Sequence, residues 1–491
     1  MKEGFRVYKP YLGLLTVLWI AEATSAFEGS MIYAAQRYIN QDFGDSSLLG
    51  LLYSSYLIVG AAAAALVGRM GDVFGRRRLM LIILALGSLG SVMSAFSTGM
   101  PNLLLAGRVM QGLTGAVLPL AVGLVRENMP PDKVPMGIGL MISGASLGTA
   151  GGLVIGGLIA DNFSWHGIFI ASTAFCLASL IGVLMVVPKS PRLPNVSGID
   201  WFSGILFAPG IMLLTWYFST IAKLGLFHQA GLIALAGGGA LLAYWLWRSL
   251  KAAVPLIDVR LFSNRKDLVA NLVTALVALS SLQITLIFQV LLQTPLWTGI
   301  GLGASATMAG LAKLPSNILS TFGGPLSGWI TGRGGGRAAM LWGGIISTAG
   351  WVLAYFVHGS ILQVILVLCV ISFGTTILFA VGPTILAQAV PEERTSEVSG
   401  MLSVTRGLFS GIGAMMVTLL LASQVLTEPG GQAQYATAAA FQLTVAVVIG
   451  FSVLATLCAF ALPRDEVAPH SNSDKLGGSR PSDPLIPRSS E

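Results

Sequence analysis

Fourteen stretches of this chain run for about twenty residues or more with almost no charge: about 11–35, 47–68, 79–98, 102–125, 135–160, 166–187, 203–222, 227–247, 268–292, 300–330, 338–358, 360–389, 398–425 and 438–462. A helix needs roughly 20 apolar residues to cross the hydrocarbon core of a bilayer. In lipid the backbone must satisfy its own hydrogen bonds, so runs of this length read as spanning helices. Only 10% of the 491 residues are charged, where an ordinary soluble domain has about 25%. So little charge cannot cover water-facing domains. A soluble enzyme, a disordered protein and a secreted disulfide scaffold are excluded, and an all-α polytopic membrane protein remains. The first run, from Tyr11 to Ala35, is longer than the apolar region of a signal peptide and has no A-x-A-like cleavage site before its polar end, so it reads as a first span.

Charge placement orients the bundle. With fourteen spans, 23 of the 28 Lys and Arg residues fall on the side of the N-terminus or in the C-terminal tail, and only Arg37 and Lys223 fall on the other. The positive-inside rule then places both termini in the cytoplasm of a multi-pass cell-membrane protein. The formal net charge of +7 is thereby spent on orientation, and nucleic acid is not an expected partner. The three cysteines, Cys176, Cys369 and Cys458, lie in apolar runs without metal-ligand or CxxC spacing. No disulfide, metal or cofactor is expected.

The chain repeats itself. Gly68, Gly75 and Arg77 after the second run match Gly328, Gly335 and Arg337 after the tenth. Setting the seventh and eighth runs aside leaves two six-span halves. The expected division is 1–187, a linker with two added spans at 188–267, a second half at 268–462, and a disordered cytoplasmic tail at 463–491. Parallel halves around a midplane site are a secondary-transporter plan.

Four motifs sharpen this reading. The loop from Gly68 through Asp72, Gly75, Arg76 and Arg77 resembles the loop signature of the major facilitator superfamily, with Met70 and Val73 as departures. Arg108, Gln111 and Gly112 resemble that family's R-x-x-Q-G element. Gly139, Gly148, Gly152, Gly156 and Gly157 follow the spacing of its antiporter signature, with Leu153 where proline is usual. Phe27-Glu28-Gly-Ser30 through Tyr33 resembles the first-span element of the fourteen-span drug:proton antiporters, with Tyr33 in place of Asn. The resemblance implies alternating access, a gating role for the loop, close helix packing at the glycines, and proton-coupled efflux of drug-like molecules.

Five charged residues lie well inside spans: Glu22, Glu28, Arg108, Lys313 and Arg406. Each is expensive in lipid, by roughly 2.5–3.5 kcal/mol, which makes each a functional candidate. Glu28 and Arg108 fall at similar depth and are expected to pair, with Glu28 carrying the proton. Glu22 is six residues away, about 240° around the helix, so it faces elsewhere. It is a candidate second proton site or an anchor for a cationic substrate. Glu22, Tyr33, Lys313 and Arg406 are the expected cavity residues. Lys313 and Arg406 also fit an alternative, proton-coupled transport of an organic anion such as an aromatic acid, or a pairing with Glu22 when the halves close. No nucleophile–base pair or phosphate loop is visible, so an enzyme is not expected. The expected partners are protons, a small molecule and the bilayer, and the expected unit is a monomer.

Overall fold

The computed structural model describes residues 11–130, 134–190, 206, 209–214, 216–217, 225, 227–252, 265–389, 395–429 and 433–462. Fifteen helices and one hairpin follow in order: α1 (Leu12–Phe43), α2 (Ser46–Phe74), α3 (Arg76–Ala95), α4 (Pro101–Gly112), α5 (Val117–Asn128), α6 (Val134–Asn162), α7 (His166–Val186), α8 (Gln229–Lys251), α9 (Arg265–Leu279), α10 (Ile284–Gln293), α11 (Ala306–Ser320), α12 (Gly323–Phe356), α13 (Ile361–Ala389), α14 (Thr395–Leu421), β1 (Val425–Thr427), β2 (Gln434–Ala436) and α15 (Ala438–Ala459). The seventh predicted run is helical where described, at 206, 209–214 and 216–217. Among the described residues, ten helices are long and apolar enough to cross a membrane. The predicted tail, 463–491, lies outside the described residues.

Several predicted runs are broken, each for a local reason. The fourth is interrupted by a tight turn of helix at Leu113–Ala116. There Gly115 lies against Gly60, and a Cβ on Gly115 would sit 2.7 Å from the Gly60 Cα. The ninth breaks between α9 and α10, where the Gln283 side chain donates to the Ala278 carbonyl at 2.6 Å and takes the place of a lost backbone bond. The tenth does not begin at 300. Gly299 and Gly303 adopt positive φ (80° and 60°), and the segment folds back, with Ala304 N donating to Leu292 O at 2.8 Å. The internal repeat is written in the backbone as well. Gly75 (φ 92°) and Gly335 (φ 76°) break the chain at equivalent points, in a region closed to residues with a Cβ.

The packing has two ends. At the end carrying the hairpin, one apolar cluster joins both parts of the chain, from Ile32, Leu52 and Trp165 to Phe288, Trp351 and Val417. At the opposite end each part keeps its own core. One is built around Leu18, Met80 and Leu124, and the other around Val273, Met340 and Ala455. The bundle is thus sealed at the hairpin end and divided at the other. The added pair of runs packs on the seam: Ile211 and Leu242 lie with Ile58 of α2 and Val404 of α14.

Candidate functional site

Glu28 sits in the middle of α1 and is fully buried. Its carboxylate accepts hydrogen bonds from Ser172 Oγ (2.7 Å), Thr114 Oγ1 (2.8 Å), Ser91 Oγ (3.0 Å) and Cys176 Sγ (3.4 Å). The donors come from α3, α7 and the turn between α4 and α5, so the first part of the chain alone builds the site.

Arg108 is also fully buried, and the expected pairing is corrected in detail. The guanidinium makes no direct ion pair with the Glu28 carboxylate. It donates to the Glu28 carbonyl at 3.1 Å and to Gln111 Oε1 at 2.9 Å. Gln111 Nε2 donates to Ser91 Oγ at 2.7 Å, and Ser91 donates to Glu28. Charge therefore reaches the carboxylate through two neutral groups. The Tyr56 ring supports the guanidinium from 4.4 Å. The reason is spatial: one helical turn separates Arg108 from Gln111 on the same face, and the amide fills the gap that a direct pair would need.

The hydroxyl partners matter chemically. A serine or threonine can donate or accept, so such a cage suits both the charged and the protonated acid. Thr114 has two acceptors in reach, Glu28 Oε2 at 2.8 Å and the Gln111 carbonyl at 2.7 Å. Its single proton can turn from one to the other, leaving its oxygen to accept from a protonated Glu28.

Glu22 points elsewhere, as its angular position requires. It is buried, one of its oxygens has no hydrogen-bond partner among the described residues, and its electrostatic partner is Arg406 of α14. Arg406 is exposed rather than enclosed, with its guanidinium 5.0 Å from the Phe379 ring. The two acids of α1 thus serve different surfaces, Glu28 within one half and Glu22 across to the other. Tyr33 lies at the seam. Its ring stacks on Tyr53 at 4.7 Å, and its carbonyl accepts from Gln293 Nε2 at 3.1 Å. Lys313 is buried on α11 and donates to Ser372 Oγ of α13 at 3.0 Å. It is not paired with Glu22.

The glycines of α6 face two ways. A Cβ on Gly148 would strike the Ala23 backbone, one on Gly152 would lie 2.7 Å from the Phe27 carbonyl, and one on Gly156 would lie 3.4 Å from Met31, all on α1. A Cβ on Gly157 would lie 2.7 Å from the Ala306 carbonyl, in the other half. Gly139 lies in α6, but its surroundings are outside the described residues. The same seam holds a residue that the sequence reading did not single out. Asp161 accepts from Thr307 Oγ1 (2.6 Å), Thr307 N (2.8 Å) and Ala306 N (3.0 Å) of α11, and from Tyr38 OH (2.7 Å). It caps, from one half, the N-terminus of a helix in the other.

The loop residues also find partners. Arg76 pairs with Glu127 at 2.7 Å and donates to the Gly123 carbonyl near the end of α5 at 3.3 Å. Arg77 donates to the Leu184 carbonyl near the end of α7 at 2.8 Å. Both cations sit at negative helix ends of neighbours. The surroundings of Gly68 and Asp72 lie outside the described residues.

The family model described as Major Facilitator Superfamily matches residues 18–414 and 273–488. The chain is 25% identical over 433 residues to the tetracenomycin C resistance and export protein of Streptomyces glaucescens, covering 85% of this chain and 77% of that one. It is 25% identical over 442 residues to a multidrug resistance protein B homolog of Mycobacterium tuberculosis, covering 86% and 79%. In structure it is similar to a crystallised D-xylose-proton symporter, with a TM-score of 0.64 at 15% identity over 93% of this chain and 98% of that one.

Proposed function

Because the chain belongs to the major facilitator superfamily and is a membrane transporter, we propose that it couples the entry of protons to the efflux of lipophilic, drug-like small molecules by alternating access. The observation that carries this reading is the hydroxyl cage around Glu28. A buried acid in a cage that serves both protonation states is a site for taking up and releasing a proton, whereas a fixed ion pair is not. Export as the direction is supported by relatives named for resistance and export.

In this reading both termini are cytoplasmic, as the positive residues favour, and the chain works as a monomer of two six-span halves. The hairpin end then faces outward and is sealed, and the divided end faces the cytoplasm. Glu22 and Arg406 lie across the seam where a substrate would pass. When substrate enters from the cytoplasm and Glu28 gives up its proton, the halves rock about the α6–α11 and α2–α14 contacts; after release of the substrate, proton uptake at Glu28 from the outside returns them. Arg76 and Arg77 hold the cytoplasmic helix ends together within the first half.

The test is transport in proteoliposomes. Wild-type protein should move a lipophilic fluorescent substrate against its gradient when a proton gradient is imposed. Glu28→Gln should exchange substrate without responding to that gradient. A full response from Glu28→Gln sinks the proposal. A second reading, transport of an organic anion, is favoured by Lys313, a buried cation with no carboxylate bonded to it among the described residues. Lys313→Met should then abolish anion binding and leave lipophilic cations unaffected.

A further inference from the structure

The added pair of runs has no part in the proton site or the seam contacts described above, and its charge is one-sided. Between Asp200 and Asp258 the sequence contains no acidic residue, while Lys223, Arg248 and Lys251 are present. Two of these cations, Arg248 and Lys251, fall in the last turn of α8.

α8 packs on the seventh run at Gly238, where a Cβ would lie 2.8 Å from the Gly210 carbonyl. The glycines on either side do not share that contact. A Cβ on Gly239 would meet nothing within 4 Å, and one on Gly237 would meet only the end of Leu213, at 3.8 Å. The missing side chain at Gly237 leaves an open apolar groove of about 530 Å³ on the pair. Among the described residues it is lined by Leu206, Gly237, Ala240, Leu241 and Tyr244.

The four lining residues of α8 are three and four residues apart, so they share one helix face. The same spacing carried further along that face reaches Trp247, Arg248 and Lys251. The groove therefore runs into the two cations. Lys251 Nζ lies 4.4 Å from the centre of the Trp247 ring, and Arg248 Nη1 lies 3.5 Å from Tyr244 OH. Both cationic heads are folded back one turn, toward the groove. From Gly237 to Arg248 the helix rises about 16 Å. That is close to half of the roughly 30 Å hydrocarbon core, the depth of one leaflet. Basic residues are common at helix C-termini and at membrane surfaces, but a groove of leaflet depth leading into them is not part of that pattern.

We infer that the face of α8 from Gly237 to Lys251 binds an anionic phospholipid. One acyl chain lies in the groove over Gly237, Ala240 and Leu241. The phosphate sits between Arg248 and Lys251. Tyr244 OH accepts from Arg248 and donates its own proton to the headgroup, since a phenol can do both. An anionic headgroup is favoured because neither added span carries an acidic side chain to offset the cations. The pair packs on the seam through Ile211 and Leu242, so the lipid anchors it beside the two halves. The inference requires only that α8 spans a bilayer, and neither proton coupling nor the transported substrate enters it.

The test is fluorescence quenching in the purified full chain in detergent, with Trp247 read as the difference between each protein and its Trp247→Phe partner. The probes are brominated phosphatidylglycerol, brominated phosphatidylcholine with the same chains, and free glycerol phosphate as a competitor. Half-quenching of wild type should need roughly ten-fold less phosphatidylglycerol than phosphatidylcholine, or better, the scale expected for two cations facing an anionic headgroup. Arg248→Gln with Lys251→Gln should bring the two lipids to the same value. Gly237→Leu fills the groove and should weaken phosphatidylglycerol by a similar factor, while Gly239→Leu, which is off the groove, should leave it unchanged. Neither Arg248 nor Lys251 is buried, so the charge variant carries the test even where Gly237→Leu does not fold. Equal quenching of wild type by the two lipids, a preference that survives the charge variant, unchanged binding in folded Gly237→Leu, or displacement of the lipid by glycerol phosphate overturns the inference. The assay uses no gradient, so a failure of proton coupling in vesicles overturns the transport reading and leaves this one standing.

Discussion

Asp161→Ala should open the sealed end. Asp161 satisfies two backbone N–H groups and the Thr307 hydroxyl at the start of α11, and it accepts from Tyr38. Loss of a capping side chain costs about 1 kcal/mol. Loss of a negative charge at a helix N-terminus removes a further 0.3–1 kcal/mol or so. Asp161 is only half-buried, so solvent replaces part of what is lost and the lower figures apply. The bond to Tyr38 lies within one half and survives opening, so it does not enter the difference. A net shift of about 1.3 kcal/mol corresponds to roughly nine-fold in the balance between sealed and open forms. An open population of about 1%, typical of a minor state, would rise to about 8%. The assay is a spin-label distance distribution across the hairpin end in a cysteine-free background. Labels belong at Phe163 and Leu296, which are 84% and 71% exposed and lie in different halves. The long-distance population should grow in Asp161→Ala and stay intermediate in Asp161→Asn, which keeps one acceptor. A distribution unchanged from wild type would refute the idea that this cap holds the halves together.

Other outcomes follow from the same contacts. Gly157→Ala should act in the same direction, because its Cβ would meet the Ala306 carbonyl at 2.7 Å and backbone cannot move aside cheaply; the same labels report it. Arg406→Glu should impair transport by placing like charges across the seam, and Glu22→Arg combined with Arg406→Glu should recover part of it; absence of any recovery would show that the two residues act independently. Glu127→Gln should lower thermal stability by no more than about 1 kcal/mol, since the Arg76–Glu127 pair is partly exposed. A drop of several kcal/mol in a detergent unfolding assay would contradict that. Substrate efflux by wild-type protein should depend on pH, and Glu28→Gln should flatten that profile; an identical profile would remove Glu28 from the coupling.

Much of the architecture was legible because lipid leaves few choices. Apolar run length fixed the helices, and the repeated Gly75 and Gly335 marked two breaks that only glycine tolerates. The depth count also brought Glu28 and Arg108 together. It did not reveal how they meet, because Ser91, Ser172 and Thr114 are ordinary residues for helix packing and carry no signal until three of them converge on one carboxylate. Gln111 was visible in a motif, but its bridging role depends on a side-chain direction that spacing does not supply. Asp161, an acid at the end of an apolar run, was not singled out from the sequence. Its role arises from the start of α11, and that boundary was itself misplaced, because the back-folded turn at Gly299–Gly303 looked like continuous apolar helix. Arg406 was read as deep within a span, yet the seam between the halves exposes it. Run length cannot distinguish lipid from a cleft.

The central claim is that Glu28 exchanges a proton as the transporter binds its cargo. It is tested most directly by measuring protons released on substrate addition to purified protein in weakly buffered detergent, with a pH-indicating dye. Wild-type protein should release protons in proportion to substrate bound, and Glu28→Gln should release fewer while still binding substrate. Equal release from both, at equal occupancy, would contradict the account.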